Sequence, residues 1–221
     1  MREDFCGTFA LCHEWVKLDP KNIAYGVDLD PEPLAWGMKK YFVPAESDLQ
    51  RRILPIQANV LDPRLPKADV ICALNFSYFF FRKREELKKY FMSCKKHLRP
   101  GGILFLDALG GGAYQQANEQ KDRMKGFTYF WEQTYFNPIE QHGKFAIHYQ
   151  RKGEAKRRNV FTYEWRLWGL AELRELLMEV GFKGTRVYWE GSDSSGGGDG
   201  KFKITNQGDD AESWIAYLVA Y

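Results

Sequence analysis

Apolar and polar positions along the chain change their period repeatedly, and each change marks an element. From Phe9 to Leu18 apolar residues return at helical spacing, at Leu11, Trp15 and Leu18, which predicts a helix. Ile23 to Val27 is a short apolar run ending on Asp28, a strand that delivers a carboxylate to a sheet edge. Asp30 and Pro31 then open a second helix, Asp30 as N-cap and Pro31 in the first turn, running to about Phe42. Arg51 to Ile56 leads into a third strand. Ala68 to Leu74 is almost continuously apolar, as a parallel strand buried on both faces should be. Arg84 to Leu98 carries the stripe Leu87, Tyr90, Phe91, Cys94 and Leu98 of an amphipathic helix, closed by Arg99-Pro100-Gly101-Gly102. Ile103 to Leu109 reads as a fifth strand, after which Gly110-Gly111-Gly112 releases the chain into a mobile segment.

From Tyr114 to about Arg166 the pattern changes. Phe127–Phe136, Phe145–Gln150 and Val160–Arg166 are aromatic strands, separated by turns at Asn137-Pro138 and Gln141-His142-Gly143 and by a charged tip at Arg151 to Arg158. Leu170 to Val180 returns to helical spacing, with Leu170, Leu173, Leu176 and Leu177 on one face and Gly181 ending it. Thr185–Glu190 and Trp214–Tyr221 read as two final strands. Between them Gly191 to Glu212, rich in Gly, Ser and Asp, is expected to be a flexible hairpin loop.

Composition narrows this picture only a little. A chain of 221 residues with 44% hydrophobic and 16% aromatic content has ample material for a core and a ligand cavity. A net charge of +3 is too mild to argue for nucleic acid, and the basic tip Lys152, Lys156, Arg157, Arg158 is most simply a solvated hairpin end. Cys6, Cys12, Cys72 and Cys94 show no paired metal spacing and read as reduced buried thiols of a cytoplasmic protein. No apolar run approaches the ~20 residues needed to span a bilayer, and the N-terminus carries no signal-peptide pattern. His148 could serve as a general base, since histidine titrates near neutrality, but a lone strand histidine is more often structural.

The chemistry concentrates at Glu3-Asp4-Phe5-Cys6-Gly7-Thr8. A tight turn with a glycine lets backbone approach a ligand, and an acidic residue about 20 positions later, Asp28 at the end of the next strand, suits a ribose with two free hydroxyls. Together with Gly26-Val27-Asp28-Leu29-Asp30 and the later Leu98-Arg99-Pro100-Gly101-Gly102 before Ile103 to Asp107, this turn resembles the class I S-adenosylmethionine-dependent methyltransferases. Three landmarks in the right order cover about half the chain. The usual loop is Asp/Glu-x-Gly-x-Gly-x-Gly; here Phe5 and Phe9 stand where its outer glycines would be and only Gly7 remains.

The resemblance implies an α/β fold: a Rossmann-like doubly wound sheet, mostly parallel with an antiparallel last strand, its first strand truncated, plus an antiparallel β insertion. Residues 1–113 would form the cofactor-binding core, 114–166 an aromatic insertion roofing the acceptor site, and 167–221 the last helix and two strands of the core. Because the glycine turn begins at residue 3, the strand feeding it can be only a stub, and the chain is expected to be short at its N-terminus. The implied cofactor is S-adenosyl-L-methionine. Its contacts would be Glu3, Phe5, Cys6, Gly7 and Thr8 at the methionine moiety, Asp28 and Leu29 at the ribose, Asn59 and Val60 at the adenine, and Leu74 and Asn75 near the methyl group. Arg2 is a candidate partner for the methionine carboxylate, or else an exposed terminal arginine.

Asn75-Phe76-Ser77-Tyr78 stands where amino methyltransferases hold Asn/Asp-Pro-Pro-Tyr/Phe. Asn75 and Tyr78 are therefore the candidate catalytic residues, the simpler alternative being an aromatic wall of the acceptor pocket. A small-molecule acceptor is the first expectation. A protein- or RNA-directed amino methyltransferase and a non-catalytic binding module are the rivals; an NAD-dependent oxidoreductase is disfavoured because the glycine loop lacks its spacing.

Overall fold

A computed structural model of the chain describes residues 1–193 and 197–221. The middle one of its five parallel strands is β1, Arg2–Asp4, only three residues long and flanked by β2 (Ala24–Asp28) on one side and β4 (Ala68–Ala73) on the other. β3 (Ile53–Gln57) extends the sheet beyond β2, and β5 (Leu98–Gly110) beyond β4. The order then reverses: β12 (Trp214–Ala220) inserts antiparallel between β5 and β10 (Thr185–Ser192), and β11 (Gly198–Thr205) closes the edge, also antiparallel.

Helices cover both faces. α1 (Ala10–Leu18), α2 (Pro31–Gly37, continued by a π-helical turn to Phe42) and α3 (Ser47–Arg52) surround a core of Phe9, Cys12, Val16, Leu34 and Ile53. α4 (Arg84–His97) and α5 (Leu170–Val180) cover the other face through Leu87, Tyr90, Phe91, Leu173, Leu176 and Leu177. The expected doubly wound sheet with a short first strand and a reversed last strand is thus present. Among the described residues no helix is long and apolar enough to cross a membrane.

A second, four-stranded antiparallel sheet follows β5: β6 (Asn118–Met124), β7 (Phe127–Asn137), β8 (His142–Arg151) and β9 (Arg157–Arg166), each paired with the next. Its aromatic face docks on the first sheet where the Trp165 ring meets Phe76 at 6.1 Å and Phe79 at 6.3 Å.

Four particulars depart from the sequence reading. β6 is unexpected, because Asn-Glu-Gln-Lys-Asp-Arg-Met has no apolar alternation; it is an exposed edge strand, and its charges discourage further strand pairing. The segment 191–212 is not simply a flexible loop, since Gly198–Thr205 pairs with β10 as β11; residues 194–196 lie outside the described residues. In α1 the helix is as expected but its face is not: Leu11 and Leu18 are exposed while the smaller Cys12 and Val16 are buried. Arg2 is neither a cofactor partner nor an exposed terminus. It is fully buried in β1, its guanidinium bidentate on Asp4 at 2.8 and 3.0 Å, and Tyr90 Oη donates to the same carboxylate at 3.0 Å. Such a pair is strongly destabilising to break from one side, because the survivor is left charged in the core.

Candidate functional site

Parallel strands end on one edge, so the loops after β1, β2, β3 and β4 gather there. The loop after β1 shows how two phenylalanines can stand where glycines usually do. Phe5, Gly7 and Phe9 all have positive φ, at 59°, 52° and 46°. The alternating left-handed backbone is therefore kept despite a steric cost on the order of 1–2 kcal/mol for each phenylalanine. Packing offsets that cost. The Phe5 ring sits against Tyr90 (5.7 Å) and Phe81 (6.1 Å), and Phe9, wholly buried, lies against Tyr41 (6.4 Å). Both rings serve the core on either side of the sheet.

Phe9 is also the N-cap of α1. It offers no side-chain cap, and the first turn carries no acidic residue, so the free N–H groups of that turn can receive an anion. Glu3 is buried beside this turn, where the Cys12 thiol donates to Oε2 at 3.1 Å; burial pushes its carboxyl up to about 7. Cys6 is buried and Thr8 half-buried.

Asp28 ends β2 at the same edge. One of its oxygens accepts from Gly7 N at 2.6 Å and the other from Asp30 N at 2.9 Å. The carboxylate thus ties the glycine loop to the start of α2, and Asp30 caps that helix by accepting from Glu32 N at 2.9 Å. A carboxylate offers about four lone-pair directions, so two remain for hydroxyl donors. Leu29 beside it is 64% exposed, a large apolar side chain left at the open edge.

After β3, Asn59 is exposed, but its carbonyl oxygen accepts from Leu61 N at 2.9 Å. That bond takes one of the two lone pairs of the oxygen, and the amide N–H₂ makes no bond within the chain among the described residues. Val60, expected beside the adenine, has its side chain in the core; Leu61 is the partly exposed apolar neighbour.

The turn after β4 is left-handed at two successive residues. Asn75 and Phe76 both have φ of 57° and are held there by one buried carboxylate: Asp107 accepts from Asn75 N at 2.6 Å and Phe76 N at 2.9 Å. Burial pushes Asp107 up to about 6, the two N–H donors holding it from rising further. Sequence reasoning gives Asp107 no role; the available signal is a carboxylate inside the apolar run Ile103 to Leu109. Tyr78 must be withdrawn as a catalytic candidate. It is fully buried and its hydroxyl donates to the Asp107 carbonyl at 2.6 Å, so it braces the turn from behind. Asn75 is exposed, and Leu74 half-buried behind it.

Asn75 and Phe76 open into a cavity of about 410 Å³ whose far wall is the aromatic face of the second sheet, including Tyr129, Trp131, Tyr163 and Trp165. Among the described residues no charged side chain lines it. Tyr114 closes one side and is held by Gln133, whose amide donates to the Tyr114 carbonyl at 2.8 Å. His148 lies on the opposite face of that sheet. It is fully buried, Asn159 N donates to its Nδ1 at 2.8 Å, and its Nε2 is 2.6 Å from Glu132. A backbone N–H can only donate, so the ring proton sits on Nε2 and points at Glu132. Glu119, Glu132 and His148 gather their ligand atoms within 4.8 Å of one another. Yet Nε2 is protonated and the Lys156 ammonium binds Glu119, so the trio is closed by its own bonds. His148 is structural and is no general base for the cavity.

The strand order with its reversed β12, the loop of left-handed residues after β1 and the acid ending β2 together define the fold of the class I S-adenosylmethionine-dependent methyltransferases. Solved structures match it over almost the whole chain. The CcbJ methyltransferase of Streptomyces caelestis has a TM-score of 0.71 at 15% identity, covering 98% of this chain and 81% of that one. A S-adenosylmethionine-dependent methyltransferase of Clostridium acetobutylicum has a TM-score of 0.67 at 21% identity, covering 99% and 82%. CalS10 of Micromonospora echinaspora, an amino pentose methyltransferase solved with S-adenosylmethionine bound, has a TM-score of 0.63 at 16% identity, covering 98% and 81%. No protein-family model matches the chain, and no curated protein matches it.

Proposed function

We propose that the protein is an S-adenosylmethionine-dependent methyltransferase acting on a small-molecule acceptor. The observation that carries this reading is one continuous edge: an uncapped helix start and a left-handed loop, an acid with spare lone pairs, and a strained asparagine turn opening into an uncharged aromatic cavity. The loop donors and the α1 N-terminus suit a carboxylate, Asp28 suits ribose hydroxyls, and the Asn59 amide suits a ring nitrogen. Phe5 and Phe9 spare the loop because their rings pack elsewhere. When bound, the cofactor supplies an electrophilic sulfonium methyl group. Little chemistry is then left to the chain's own residues. Asn75 orients the acceptor atom, and Phe76, Trp131 and Trp165 exclude water around it. Asp107 acts through Asn75 by fixing its backbone, as a positioning residue.

The acceptor class follows from the lining and from the neighbours. An uncharged aromatic chamber admits a molecule of modest size, and CalS10 is an amino pentose methyltransferase. The test is to incubate the protein with S-adenosylmethionine and a panel of small amines, aminosugars and phenols while reading S-adenosylhomocysteine release. The expected result is turnover with one acceptor class, abolished by Asn75→Ala in a protein that still melts cooperatively. Turnover with oligonucleotides or proteins alone would overturn the acceptor assignment.

A further inference from the structure

The aromatic wall does not stop at the cavity. Side chains two apart on a strand share a face, and the register aligns three strands. Trp131, Tyr129 and Phe127 on β7 lie opposite Ile147, Tyr149 and Arg151 on β8, with Trp165, Tyr163 and Phe161 alongside on β9. The rings follow one another at close range: Tyr163 lies 4.6 Å from Trp165, Trp131 6.2 Å from Tyr163, and Tyr149 5.7 Å from both Tyr129 and Phe127. From Trp131 to Phe127 the stripe runs four residues along β7, about 13 Å. It ends in a second cavity of about 380 Å³ whose floor is Phe127 and Tyr149 and whose rim is Lys125, Arg151 and Arg157.

The charge at this end contrasts with the uncharged chamber by Asn75. Arg151 and Arg157 share a single carboxylate, Glu154, at 3.9 and 3.2 Å, and Lys125 has no ion pair among the described residues. The rim of this cavity therefore holds three cations against one acid, beside the Phe127 ring, which remains 39% exposed.

We infer that the acceptor is an elongated molecule: its methyl-accepting group enters the chamber beside Asn75, its flat or apolar body lies along the aromatic stripe, and an anionic group about 13 Å or more from the reacting end rests on Lys125, Arg151 and Arg157. This inference rests on the proposed methyltransferase site for its inner end only. The outer end stands on continuity with that chamber and on charge complementarity. The anion is a phosphate, sulfate or carboxylate; guanidinium groups recognise each through paired N–H donors.

The probe is 2-naphthyl phosphate, with 2-naphthoate and neutral 2-naphthol as companions, titrated into the full chain while tryptophan fluorescence is read. Saturable binding of an anionic probe is expected, roughly tenfold or more tighter than that of 2-naphthol. The advantage should fall with added salt and vanish in the exposed double variant Arg151→Glu/Arg157→Glu. The control Lys88→Glu, on α4, should leave it unchanged. Phosphate against naphthoate tells which anion the rim prefers. Equal affinity for 2-naphthol and the anions, or an anion preference that survives the double variant, would overturn the inference. So would tight binding of a single-stranded oligonucleotide or of phosphatidylglycerol vesicles with naphthyl phosphate ignored. The titration uses no cofactor, so a failed probe with intact S-adenosylhomocysteine binding removes this inference alone, whereas lost cofactor binding removes the reading it rests on.

Discussion

Two buried carboxyls set the behaviour of the site at the scale of single residues. Asp107 holds the Asn75–Phe76 turn by two charged hydrogen bonds. Asp107→Ala takes the acceptor from both part-buried N–H groups, which costs on the order of 1–3 kcal/mol, and releases Asn75 from its left-handed backbone. A lowered denaturation midpoint together with lost turnover is expected; turnover at the wild-type level would show that the turn needs no such brace. Glu3 acts through its proton. Its carboxyl is raised from 4.5 to about 7 by burial, so between those values the folded chain holds a proton that the unfolded chain has released. Stability is therefore fully present below about pH 4.5 and declines as pH rises to 7, by on the order of 3 kcal/mol. Asp107, raised from 3.8 to about 6, adds a decline of the same sign. Denaturant melts between pH 5 and 8 should show this fall, and Glu3→Gln should flatten it. A slope unchanged in Glu3→Gln would place the linked proton elsewhere.

Among the elements, the contact that matters most for the site is α2 against the loop after β1. A Cβ on Gly37 would lie 2.3 Å from the Thr8 carbonyl oxygen and 2.7 Å from the Phe9 ring. Gly37→Ala would gain up to about 1 kcal/mol of helix propensity, but a backbone oxygen at that range cannot swing aside, and overpacking costs roughly 1–3 kcal/mol. The clash wins. The variant should melt lower and bind S-adenosylhomocysteine more weakly than the wild type, because the loop itself is pushed. A melt at or above the wild-type temperature would mean the loop yields freely.

The elements also show what can be read in advance. β2, β4, α4 and α5 are legible because burial on one or both faces imposes a strict period. β6 and β11 are not, because an edge strand takes its stability from backbone pairing and needs no apolar pattern. The landmarks Gly7, Asp28 and Asn75 are visible as motifs, and all come to one edge. Tyr78 and Val60 are misplaced by the sequence because a motif gives position along the chain and not the direction of a side chain, which only the packing decides.

For the whole molecule, the aromatic face of the second sheet stands across a cavity from the Asn75–Phe76 turn. The polar His148–Glu132 and Lys156–Glu119 pairs sit on the reverse of that sheet, clear of the cavity. The central claim is that the edge holds S-adenosylmethionine with Asp28 on the sugar. Isothermal calorimetry of the full chain with S-adenosylhomocysteine tests it most directly. The account predicts one saturable site per chain, with a dissociation constant on the order of micromolar, weakened roughly tenfold or more in Asp28→Ala. A cooperatively folded wild-type chain that gives no binding heat and no thermal shift with the ligand would contradict it.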